Sequence, residues 1–294
     1  MHPETFWLGY AAGTAAAWNP SSDSKAFYRL FYGPHEVDMD RVYRMMSEQA
    51  QFWSDSWERG PSWRKPIFGN SDHIYNPRKP LKDDTLELPG TPGPDLKFDA
   101  SWTSTNARRL QLVSDSLAGN DELAGLLHEN LRRVEMNRYN LEVYLSIANL
   151  CRQNLEMLLG IRRMCLLLDS AQKAAAQRKP KDALESVDGA LGIAEEIRRE
   201  RNGALRDAVE TWYKSWFPRA AEANGRKFLH ELDDVKDHVP DRTVDMSYLL
   251  ERELRLPFGE WVAKIRAARN HFASANHLPA DTRRSEWADL EAGR

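Results

Sequence analysis

The chain has 294 residues, 41% of them hydrophobic and 29% charged, with a formal net charge of −3 and a mean hydropathy of −0.65. That length and balance support a packed core in one large domain or two. A pI near 6.3 excludes the basic footprint of a nucleic-acid or anionic-membrane binder.

The first element in chain order is "FWLGYAAGTAAAWNP", residues 6–20. It has no preceding positive charge and no Leu/Val core, so it does not read as a secretory signal, and it is too short and weakly apolar to cross a bilayer. It reads as part of a core. Next, "SSDSKAFYRLFYG" predicts a short helix capped by Ser22 or Asp23 and stopped at Gly33-Pro34. A second helix follows in "VDMDRVYRMMSEQAQFWSDSWERG", with Asp38 as cap and a buried stripe of Val42, Met45 or Met46, Gln49 and Phe52/Trp53.

Residues 58–100 differ in kind. Seven of the 15 prolines fall here, and proline fixes φ and removes a donor, so no regular element runs through. Yet Trp63, Ile67, Phe68, Ile74, Tyr75, Leu86 and Leu88 are too apolar for a disordered linker. The segment predicts a long ordered loop packed over another surface, a kind of loop that is often functional.

From about 102 to 275 the pattern is helical. A run from Asn120, read as an N-cap with Asp121 and Glu122 in its first turn, carries Leu123, Leu127, Leu131, Val134, Leu141, Leu145, Ala148, Leu155 and Leu159 at helical spacing. Lys179-Pro180 ends it and starts a further helix through Leu184, Val187, Leu191, Ala194, Leu205, Val209, Trp212 and Trp216. Two long amphipathic helices with a short turn between them lie antiparallel. Patterning weakens after Pro218 and resumes in "VDMSYLLEREL" and "FGEWVAKIRAARNHF"; the tail from about 276 reads as polar and frayed. Cys151 and Cys165, the only cysteines, fall on one helical stretch about 21 Å apart at ~1.5 Å per residue. They are too distant to bridge and read as small buried apolar residues.

The catalytic signatures are missing. The eight His show no metal-ligand spacing beyond "HELDDVKDH", which reads as a surface charge cluster. There is no phosphate loop, no G-x-S-x-G elbow and no Cys–His pair. The adjacent carboxylates at Asp83-Asp84, Asp121-Glu122 and Asp233-Asp234 do not make an active site. No catalytic residue, metal or cofactor is expected within the chain. What stands out is aromatic: six of the ten Trp precede residue 103. Trp and Tyr beside Asp, Asn and His near a Pro-rich loop are the chemistry of a sugar site, rings stacking on pyranose C–H faces and polar groups bonding hydroxyls. The same rings equally fit the core of a loop-on-bundle interface.

"PETFWLGYAAGTAAAWNPSSDSKAFYRLFYG" resembles the last βα unit of the catalytic barrel in glycoside hydrolase family 20, the β-N-acetylhexosaminidases. "WRKPIFGNSDHIYNPRKPLKDDTLELPGTPGPDL" and "DMSYLLERELRLPFGEW" look like the loop and helical extension of large members, so the resemblance touches most of the chain to about residue 272. It implies a mainly α fold: a long antiparallel helical bundle (101–275), preceded by the last βα unit of a (β/α)8 barrel (1–33) and a helix with a long Pro-rich loop (34–100), with a polar tail (276–294).

By the resemblance, residues 6–18 form a barrel strand with Trp18 at its C-terminal end, where barrel enzymes build their sites, walling a pocket for an N-acetylhexosamine-containing glycan. The family often has an acid two residues after this Trp. Asn19-Pro20 departs from that and implies an altered subsite. A helical reading also fits, with Gly9, Gly13 and Ala17 on one face. From the loop, Asp72, His73 and Tyr75 are expected to approach the same mouth.

The family's catalytic Asp-Glu pair has no match, so the chain reads as a C-terminal fragment lacking the N-terminal barrel, inactive alone, from a parent glycosidase that would often be exported. The alternative is a non-catalytic helical binding or scaffold module. No membrane or nucleic-acid partner is expected.

Overall fold

A computed structural model describes residues 3–19, 23–57, 88–212, 214, 220–223, 226–229 and 243–283, with side chains 50–57, 205, 209 and 243–257 among those left undescribed. It is mainly helical. After a 3-10 turn at Pro3–Phe6 come α1 (Trp7–Trp18), α2 (Ser24–Tyr32), α3 (Met39–Trp57), the short α4 (Ser101–Thr105), α5 (Ala107–Arg133), α6 (Arg138–Ala176) and α7 (Pro180–Trp212). A two-stranded antiparallel hairpin, β1 (Ala220–Ala223) and β2 (Arg226–Leu229), pairs Ala220 with Leu229, and α8 (Thr243–Ala275) closes the order.

Residues 7–18 are a helix, which corrects the strand reading of this stretch. The physical reason is hydrogen bonding. Among the described residues the only strands pair with each other, so an extended segment here would leave its backbone groups without a ladder, whereas a helix satisfies them internally. Six of its twelve residues are Ala or Leu, the strongest helix formers. No residue of α1 is buried.

The helix boundaries follow local chemistry. Asp23 caps α2 by accepting from the Lys25 amide at 3.0 Å, and Gly33, at φ +94°, ends it. Asp38 takes a left-handed φ of +46°, and its carbonyl receives the Val42 amide, opening α3. Met39, Val42, Met45 and Gln49 form the buried stripe of α3.

The bundle is built on the α6–α7 hairpin. Arg178 is left-handed at φ +58°, the Lys179 amide returns to the Ala174 carbonyl at 3.0 Å, and α7 leaves from Pro180. Trp212 Nε1 donates to Ser146 Oγ at 2.9 Å and Lys214 pairs with Glu142, fixing the antiparallel register along the hairpin. At Gly160 the helices approach so closely that an added Cβ would meet Ile197 Cδ1 at 2.6 Å.

Three expectations are corrected here. The helical run from Asn120 is two helices, broken at 134–137, where Val134 is extended and Asn137 is left-handed. Asn120 is no cap: it is buried inside α5 and donates to the Ala148 carbonyl at 2.8 Å. Asp121 and Glu122 therefore do not serve a helix N-terminus, but pair with Arg152 and Arg41. The described part of the tail, 276–283, is packed and hydrogen-bonded rather than frayed, and 284–294 lie outside the described residues. Leu278 packs on the core, Asn270 exchanges hydrogen bonds with the Asp281 backbone, and Arg269 grips Asp188 of α7 through two bonds of 2.9 Å.

Two main apolar cores result. One gathers Leu155, Leu158, Ile161, Leu184, Val187, Phe258 and Val262, with Leu96 and Phe98 of the described end of the loop laid against it. The other gathers Tyr28, Tyr32, Met39, Val42, Leu123, Leu127, Leu141 and Tyr144. Cys151 and Cys165 are free and buried.

Candidate functional site

The aromatic N-terminal segment is held on the bundle by a cluster that helix periodicity does not announce. Asn130, Asn137 and Asn140 flank the α5–α6 break. Asn130 Nδ2 donates to the Val37 carbonyl and its Oδ1 accepts the Val37 amide, both at 2.7 Å. Asn137 Nδ2 reaches the Phe31 carbonyl at 2.6 Å. Asn140 Nδ2 donates to the Glu4 carbonyl at 2.7 Å and to its carboxylate at 3.0 Å, while Asn140 Oδ1 accepts the Tyr32 hydroxyl. Side-chain amides here do the work of a neighbouring strand, capturing backbone groups that no helix uses.

Around this clamp lies a buried phenol cluster. The Tyr32 and Tyr43 hydroxyls are 2.9 Å apart, Tyr28 stacks on Tyr43, and Tyr43 meets Tyr144 edge-on at 5.3 Å. Burial, first among the causes, pushes all three of Tyr32, Tyr43 and Tyr144 far above the ordinary phenol pKa. They are neutral hydrogen-bonding groups, suited to fixing a segment and unsuited to proton transfer at neutral pH.

Outward of the clamp the surface is aromatic. Trp7 donates to Glu4 Oε2 at 3.1 Å and lies 6.1 Å from Phe31 and 6.3 Å from Tyr10. Tyr10 is 64% exposed, Leu30 78% and Trp18 92%. No residue of α1 carries a charge. Together these residues leave apolar side chains exposed on α1 and α2.

Of the residues expected to line a sugar site, two fall among the described residues. Trp18 and Asn19 stand at the exposed C-terminal end of α1, and Asp72, His73 and Tyr75 lie outside the described residues. Among the described residues no cluster of three or more His, Cys, Asp and Glu could hold a metal ion. Among the described residues the Glu200 carboxylate is pushed upward, by burial and then by neighbouring Glu156 and Glu196 on the α6–α7 face. No described helix is long and apolar enough to cross a membrane.

Comparison with known proteins leaves the geometry to stand alone. No family model, no curated protein and no solved structure matches the chain.

Proposed function

We propose that the chain is the C-terminal portion of a glycoside hydrolase acting on β-linked N-acetylhexosaminides, with the catalytic carboxylates lying outside it. In this reading residues 1–33 complete the catalytic barrel, α2 is its last helix, and Trp18 and Asn19 wall the sugar pocket, with Asp72, His73 and Tyr75 at the same mouth.

One observation carries the reading beyond the resemblance. The asparagine clamp ties Glu4, Phe31, Tyr32 and Val37 to the bundle, while the Trp18 side chain is exposed. Fixing the base of an aromatic segment while its tip stays exposed supports reading the bundle as a brace for a larger body. The same uncovered, uncharged α1 favours the second reading, a non-catalytic helical scaffold that binds a partner through this face.

The native DNA upstream of the Met1 codon separates the two. An open frame running through a barrel with an adjacent Asp-Glu pair supports the glycosidase, and the encoded protein should then hydrolyse an aryl N-acetyl-β-glucosaminide, with Trp18→Ala raising KM or lowering kcat. A stop codon with its own ribosome-binding site overturns it and leaves the scaffold.

A further inference from the structure

Between the two cores lies a level at which each long helix turns polar. On α5, Asn120 stands between Val113 of one core and Leu123 of the other. On α6, Gln153 and Asn154 stand between Ala148 and Leu155, and on α7, Arg201 stands between Ile197 and Ala208. From α3 comes Gln49, whose Oε1 accepts from Asn120 Nδ2 at 3.2 Å. All five polar side chains belong to buried residues. The Asp121–Arg152 pair holds α5 and α6 at this height, and the contacts of Gly160 with Ile197 and of Ser146 with Trp212 bracket the same height on α7.

Two further observations fall on this level. Gln49 Nε2, Asn120 Oδ1, Gln153 Nε2 and Asn154 Oδ1 are buried without a hydrogen-bond partner among the described residues. Such atoms either sit dry at an energetic cost or hold buried water, and neither gives apolar cohesion across the layer. Beside them the helices carry glycine: Gly119 adjoins Asn120 on α5 and Gly203 lies two residues after Arg201 on α7, each, like Gly125 and Gly192 at the height of the packed cores, with open space where a Cβ would be, and only the first two stand at the level of the orphaned amides. Glycine in a helix is less favourable than alanine and loosens the backbone there.

We propose that this layer is a hinge across the bundle. The half that holds α2, α3 and the asparagine clamp tilts against the half that holds residues 88–102, the end of α8 and the C-terminal strap. The helices run through the layer, so the motion is a bend at Gly119 and Gly203 with the cores moving as units, as expected when packed cores resist continuous deformation. The proposal is independent of the glycosidase reading, because it concerns the bundle alone.

Amide hydrogen exchange on the intact chain tests it. Amides of 117–121 and 200–204 should exchange at least tenfold faster than those of 127–131 and 194–197, a minimum in mid-helix that end fraying does not produce. The Gly119→Ala/Gly203→Ala double variant meets no heavy atom within 4 Å of either new Cβ, so it keeps the fold and should slow exchange at the layer several-fold. Uniform protection along α5 and α7 overturns the hinge, and so does a layer whose exchange the double variant leaves unchanged.

Discussion

Asn130 and Val37 exchange two hydrogen bonds of 2.7 Å, the side-chain amide giving and taking as a strand neighbour would. Asn130 is fully buried, so both Val37 backbone groups depend on it. Asn130→Asp keeps the acceptor but sets a carboxylate against the Val37 carbonyl. This variant should lose about 2–4 kcal/mol, more than Asn130→Ala, because a buried charge facing a carbonyl costs more than an orphaned amide. Urea unfolding of both variants checks the order; equal losses would mean that the amide serves only to fill space.

Much of the bundle was legible because its signals are local. Lys179-Pro180 marks the α6–α7 turn in sequence and in structure, and Asp23 and Gly33 bound α2 as their chemistry requires. The failures come where an identical local signal answers to distant atoms. Asn120 resembles a cap, but its donors are spent on Gln49 and Ala148, far along the chain. The strap at 276–283 is polar in composition and ordered by arginines of α8. The Asn224-Gly225 dipeptide between β1 and β2 is a hairpin signal that the surrounding weak patterning hides. For residues 7–18, Ala and Gly leave helix and strand both open, and the surroundings decide. The candidate site was legible as aromatic. Its clamp was not, although three Asn within "NLRRVEMNRYN" are poor helix formers and were the available clue.

Acid should loosen the C-terminal strap. Burial alone would raise the Asp281 pKa, but hydrogen bonds from the Arg283 side chain and backbone outweigh it, helped by the charges of Arg283 and Arg266, and the net shift is downward. Arg266 and Arg269 face it from α8, and Asp188 and Glu195 of α7 complete the network. A depressed folded pKa stabilises above the ordinary value of ~3.9 and is lost as pH falls through the folded value. The wild-type urea midpoint should therefore fall more steeply below about pH 4 than that of Asp281→Asn. Parallel pH profiles would remove Asp281 from the account.

The two thiols should be silent in the folded chain. Burial pushes both Cys151 and Cys165 up to about 12, so almost no thiolate forms at pH 8 and the nucleophile is absent as well as covered. Labelling with an aromatic disulfide reagent should follow the unfolding rate and become immediate in denaturant. Fast native labelling of Cys151 alone would locate an opening on α6 at the polar layer.

At Gly160 α6 and α7 approach closely. An alanine Cβ would stand 2.6 Å from Ile197 Cδ1 and 3.0 Å from Cγ1, and Ile197 is itself buried. Gly160→Ala should cost about 1–3 kcal/mol through overpacking, despite alanine's better helix propensity. Adding Ile197→Val removes Cδ1, and the pair should couple favourably by at least ~0.5 kcal/mol in a double-mutant cycle. Additive losses would mean that the helices separate instead of the side chain yielding.

Trp7 and Trp18 stand at opposite ends of α1 and should behave oppositely. Trp7 bonds Glu4, which Asn140 holds, and packs against Phe31. Trp7→Ala therefore releases the base of the segment and should cost about 1–2 kcal/mol. Trp18 is 92% exposed, and its removal should leave stability within about 0.5 kcal/mol of the wild type. Thermal unfolding of the two variants reads the contrast directly. A large loss at Trp18 would mean that the ring is covered in solution, by a second copy or by another part of the chain, and concentration dependence of that loss would identify the second copy.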